Sequence, residues 1–202
     1  LGRLLDCSLV QHVELPDLGP RYRLLETLRV YAQERLVASD EADAIRERHA
    51  AFYAGVAEQA DPVVRSGVPE MRGVLRQMDA DHENLAAAMR WSLAQGRADL
   101  AIRIGAGAHY WSMYHARIRQ YGEWVETALA LPAPLDPLAR ARGMEVVSTY
   151  YMRAGRRAEQ SELLPRLMVA AREAGDPVIE GWALWHQATW ARDTGEPERA
   201  VA

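Results

Sequence analysis

The sequence contains no lysine: all 24 of its basic residues are arginine, set against 28 acidic residues for a net charge of −4. A phosphate loop of the G-x-x-x-x-G-K-[ST] kind is therefore excluded, because its lysine is the group that reaches the phosphates. The acidic balance also argues against general nucleic-acid binding, which rests on neutralising phosphate charge. Cys7 is the single cysteine, so no disulfide forms within the chain and no zinc site can be built from several thiolates. That usage fits a reducing cytoplasm. No apolar run approaches the roughly 18–20 residues that cross a bilayer, and the opening LGRLLDCSLV lacks the basic-then-apolar layout of a signal peptide, so no membrane partner is expected. H-E-x-x-H and G-x-S-x-G are missing too, and with them any expectation of catalytic residues or a metal set. The chain starts at Leu1 and ends in GEPERAVA, which reads as a helix just begun; both ends look like cuts in a longer protein.

What is there is a 202-residue chain with 49% hydrophobic residues, ample for a core. RYRLLETLRVYAQERL, residues 21–36, opens on a two-residue alternation that suits a half-buried strand. From Leu24 its apolar residues Leu24, Leu28, Tyr31, Ala32 and Leu36 fall three or four apart, as on one side of a helix. ELPDLGP, residues 14–20, is a strong turn signal, so a hairpin of Leu9–Glu14 with Arg21–Leu25 is expected, packed on the following helix or on a part of the protein beyond this chain. Everything after residue 26 reads as helix. Ser39 and Asp40 suit a helix N-cap, Asp61–Pro62 a helix end, and Gly96 a stop after a helix from about Asp81 to Gln95.

Further on, Ala116, Gly155 and Gly195 each separate two amphipathic helices, at intervals of 39 and 40 residues, with proline-containing turns between the pairs. The pairs are 97–114 with 117–131, 136–153 with 157–174, and 177–193 with whatever follows Glu196. Such a period marks stacked helix pairs. The expected fold is therefore mainly α, a helical solenoid preceded by a small region that carries a β-hairpin.

Asp79, Asp81, His82 and Glu83 are ligand-type groups, yet as consecutive residues at a helix start they suit capping by Asp81 better than a metal. Cys7, in apolar company with no cation beside it, reads as a small buried hydrophobe. Trp111, Tyr150 and Trp190 stand five residues before the three inter-helix turns, with Tyr110, Tyr114, Tyr151, Trp182 and Trp185 nearby. In a solenoid such a row either lines a concave groove for a ligand or partner, or packs between repeats. The groove candidates are Trp111, Tyr150, Trp190, Tyr114, Tyr151 and Trp185. Arg21 and Arg23 on a strand beside a turn could touch DNA backbone like a wing, but interspersed acidic residues weigh against direct DNA contact.

Five blocks in this order, LGRLLDCSLVQ, RYRLLETLRVYAQERL, RERHAAFYAGVAEQA, DADHENLAAAMRWSLAQG and ALALP, resemble the C-terminal half of bacterial STAND-type signalling ATPases, the LuxR-like and SARP-like transcriptional regulators. Arginine without lysine in an alanine-rich chain also suggests a GC-rich bacterial coding sequence. The resemblance implies the end of a winged helix over residues 1–38, connecting helices over 39–95 and tetratricopeptide-like repeats over 96–202. In such proteins the winged helix acts as a regulatory spacer and the repeats as sensor or docking surface. ATP and magnesium would belong to an upstream nucleotide-binding domain, a partner of this chain, and no cofactor is expected here. The repeats would receive a small-molecule inducer or a protein partner. Tyr121 and Gln160 depart from the small residue that normally follows the inter-helix turn, whereas Ala200 fits it. The leading expectation is a regulatory sensor and interaction module; the alternatives are a DNA-binding winged-helix regulator with a helical oligomerisation region and, last, an all-α enzyme.

Overall fold

The computed structural model describes residues 1–15 and 18–195. Ala200 and the second helix of the third pair lie outside those residues. A short helix α1 (Gly2–Asp6) leads into an antiparallel hairpin of β1 (Val10–Leu15) and β2 (Gly19–Leu24), in register from Val10 opposite Leu24 to Leu15 opposite Gly19. The period change at Leu25 is real: α2 (Glu26–Val37) starts at once. Cys7 is exposed, not buried, because α1 has no buried residue and so no core for a thiol to enter. The hairpin is not clamped to α2, which has no buried residue, but to the helices beyond it through Arg21 and Asp81.

The helical body begins with α3 (Ala42–Ser66), followed by α4 (Met71–Ala80) and α5 (His82–Ala94). Neither Ser39 nor Asp40 caps α3; the Ser39 hydroxyl donates back to the Leu36 carbonyl, closing α2. Nor does α3 end at Pro62. It continues to Ser66 and stops at Gly67, whose φ of 66° an L residue rarely adopts. Proline inside a helix costs about 3 kcal/mol. Ala57, Ala60, Asp61 and Val64 are all buried around that point, and the packing holds the helix through the break.

The second half follows the expected pairs closely. α6 (Ala98–Gly107) and the short α7 (His109–Tyr114) are offset at Ala108, then α8 (Ile118–Leu129), α9 (Pro137–Ala154), α10 (Arg157–Ala174) and α11 (Pro177–Thr194) succeed one another. Asp136 and Asp176 cap α9 and α11, accepting from backbone N–H groups of Ala139 and Val178 at 2.9 Å, with proline at the first helical turn. Ala116, Gly155 and Gly195 take left-handed φ values of 55°, 71° and 74°. The interval seen in the sequence is thus an interval of left-handed joints.

α9 packs on α6, α8, α10 and α11, while α6 also packs on α3, α5 and α8. Leu85, Leu100, Ile102, Ile104 and Leu167 are fully buried there, each contributing roughly 1.5–3 kcal/mol. Small residues let the helix axes approach. A side chain at Gly107 would fall on the Ala57 backbone, and one at Gly122 on the Tyr150 ring. Tyr121 and Gln160, large where a small residue is usual, are both fully buried. No helix among the described residues is long and apolar enough to cross a membrane.

Candidate functional site

The C-terminal turn of α3 presents Arg65 to α7, α9 and α11. Its guanidinium donates to Glu145 at 3.2 Å and to both Asp61 oxygens at 3.4 Å. The same group lies 4.6 Å from the ring centre of Tyr110 and 5.5 Å from that of Trp182. Tyr110 meets Trp182 at 5.8 Å and Trp182 meets Trp185 edge-on at 5.6 Å, so one arginine is roofed by a continuous run of aromatic rings. Tyr114 follows one helical turn beyond Tyr110 on α7. Tyr114 and Trp185 are 61% and 47% exposed.

Charge beneath the rings is costly. Glu145 is 2% exposed, and burial raises its pKa above the ordinary carboxylate value, opposed by the Arg65 charge; Asp61 is shifted the same way for the same reasons. His186 is held neutral, its pKa pushed down to about 4 by burial. It lies 3.2 Å from the Ser148 hydroxyl at Nδ1 and 3.4 Å from that of Thr149 at Nε2. Thr149 donates its one hydroxyl proton to the Glu145 carbonyl. The imidazole therefore carries its proton on Nε2 and accepts from Ser148 at Nδ1. His109, wholly buried, has its pKa pushed down to about 3, by desolvation first and then by His186 and Arg65. Its nearest carboxylate oxygen, on Glu145, is 3.9 Å away, beyond hydrogen-bond reach, and neither ring nitrogen has a partner.

Of the six groove candidates, only Tyr114 and Trp185 stand on this face. Trp111, Tyr150 and Tyr151 are buried between helices, which for those three fits packing between repeats, not a groove. Trp111 donates from Nε1 to Asp79 at 2.9 Å and stacks on His115, fastening α7 to the end of α4. Tyr151 donates to Glu126 at 2.6 Å, and Arg156, 4.3 Å from the Tyr151 ring centre, bonds Glu126 and Glu159, which ties α8, α9 and α10 together. Trp190 is half-buried and faces the other way, lining a cavity of about 290 Å³ between α10 and α11 with Leu164, Met168 and Leu184. The turn-based register does not select Tyr110, Trp182 or Arg65: it falls on Trp111 and Trp190 in α7 and α11, and Arg65 precedes the helix pairs altogether.

The hairpin arginines are also separated by the structure. Arg21 is paired with both Asp81 oxygens, at 2.5 and 3.2 Å, so it is not held out as a free wing; Arg23 is exposed. The same contact corrects Asp81 as a helix cap, since its carboxylate makes no cap bond to α5. Among the described residues no group of three or more histidine, cysteine, aspartate or glutamate side chains could hold a metal ion.

No family model and no solved structure matches the chain. Three curated relatives do. They are proteins named as HTH-type transcriptional regulators, one from Mycobacterium bovis and two from strains of Mycobacterium tuberculosis, each 26% identical over 165 residues. The match takes in 78% of this chain but 18% of each relative. Over most of its length, then, the chain is similar to less than a fifth of much longer proteins named as transcriptional regulators.

Proposed function

We propose that this chain serves a transcriptional regulator, and more finely that it is the sensor and protein-interaction module of a STAND-type regulator. The observation that carries the reading is the aromatic run Tyr110, Trp182 and Trp185, with Tyr110 and Trp182 over Arg65 and Trp185 exposed at its edge, set on a body of consecutive helix pairs. Aromatic rings packed over a committed cation, with an exposed edge, are suited to gripping a small inducer or a partner protein. On this reading residues 1–38 finish a winged helix, the tetratricopeptide-like pairs are a solenoid, the chain works in the cytoplasm without a cofactor, and ATP with magnesium binds an upstream domain that it restrains. Similarity to proteins named as transcriptional regulators supports the coarser part.

The test is ATP turnover by the full-length protein with and without residues 96–202. Coupling between a sensor and a catalytic module typically amounts to about 5- to 150-fold. A change of that size on deletion is expected. Equal turnover by the two proteins, with the truncated one still folded, would sink the sensor reading.

A further inference from the structure

A second cavity, of about 590 Å³, opens between the hairpin and the helical body, remote from the aromatic face. Its size is that of a small-molecule site. Pro20, Phe52, Val56 and Val74 supply apolar walls, and Glu70 and Gln77 stand at its polar side. Phe52 is the only phenylalanine in the sequence and is 64% exposed, so its ring is not spent on the core. The other polar groups are already committed: Arg21 pairs with Asp81, and Asp81 also receives the Tyr53 hydroxyl. Glu70 sits at the first residue before α4, yet its carboxylate makes no capping bond and has no ion-pair partner among the described residues. Arg21 and Asp81 cancel, which leaves Glu70 as the uncompensated charge among the described lining residues.

We infer that this groove binds a small organic cation, an amine carried on a ring or short alkyl body. The ammonium bonds the Glu70 carboxylate, while the body lies against Phe52, Val56 and Val74. An anion is disfavoured by the Glu70 charge, and a neutral molecule gains no ion pair from it. Because one wall is the hairpin, occupancy also braces the hairpin against α3 and α4.

Phenethylamine, with phenylethanol and phenylacetate as its neutral and anionic counterparts, is the probe, measured by ligand-observed saturation-transfer NMR on the 202-residue chain. Phenethylamine is expected to bind in preference to both counterparts. Glu70→Gln, which removes the charge without touching a cap bond, should weaken it by at least about tenfold. Gly73→Leu should abolish binding, since Gly73 lines the groove and a Cβ there meets no atom within 4 Å. Amide exchange in β1 and β2 should slow on binding. The inference is overturned if phenylethanol binds equally well, if either folded variant binds phenethylamine as the parent does, or if the parent shows no binding up to about 10 mM.

Discussion

Residues 1–37 and the helical body use similar amounts of apolar sequence to opposite ends. In the first, Leu1, Leu4, Leu9, Tyr22, Leu24, Leu25, Val30, Tyr31 and Val37 are exposed and, among the described residues, only Val10 is buried. In the body, one core runs from Ala50 to Ala183. The leucine and tyrosine spacing of α2 is as regular as that of a buried helix, yet it has no buried residue. Periodicity therefore reports which face is apolar, not whether the chain itself covers that face. Among the described residues the Arg21–Asp81 ion pair ties the hairpin to the body, whereas most body helices bury several residues, ten of them on α9.

That contrast is broken hardest from the body side. Trp111→Ala, which removes the largest fully buried side chain and its bond to Asp79, should cost about 3–5 kcal/mol in denaturant unfolding. A loss below about 1 kcal/mol would mean that the body is not the cooperative unit.

Acid should act next, and also on the body. His109 and His186 titrate near 3 and 4 when folded and near 6.5 when unfolded. As pH falls below 6.5 the unfolded chain takes up protons that the folded one refuses, so stability drops, by about 2 kcal/mol for each histidine at pH 5. Glu145 and Asp61, with raised values, have the opposite sign and soften the loss where they titrate. Unfolding midpoints from pH 7 to 5 should fall less steeply in His109→Gln and in His186→Gln than in the parent; equal slopes would contradict the buried neutral imidazoles.

Much of this architecture is legible in sequence, and the reasons are local. Asp-Pro at 136–137 and 176–177 starts a helix through a cap and a preset φ, and Gly155 and Gly195 end one, so boundaries there are fixed by neighbours in the chain. Pro62 shows the limit: a local breaker is overruled by burial against helices distant in sequence. The site is less legible for the same reason. Arg65 and Glu145 are 80 residues apart, and nothing near either one announces the other. Tyr110 lies next to the position that an exact repeat would choose, Trp111, and Trp182 lies two helical turns before its own, Trp190, so the turn-based register selects neither. Tyr114 and Trp185 could be found because aromatics cluster near a repeating turn.

Smaller effects belong to the N-terminal region. Arg21→Ala should leave the unfolding midpoint of the body in place while hairpin amides exchange faster, as seen by hydrogen exchange. Unchanged hairpin protection would show that the Arg21 pair does not hold it. Smallest of all, Val37→Ser on the uncovered end of α2 should shift stability by no more than about 0.5 kcal/mol. A larger loss would place α2 inside a packed interface and erase the comparison.

The three left-handed joints that recur at the repeat interval, Ala116, Gly155 and Gly195, are not conformationally alike. Gly155 and Gly195 have wide conformational basins around their φ values, whereas Ala116, at φ 55°, sits in a narrow well that its methyl group makes costly, by about 1–2 kcal/mol. Of the three, the joint between α7 and α8 is therefore the one whose own residue narrows its range, and Ala116→Gly would relieve that cost.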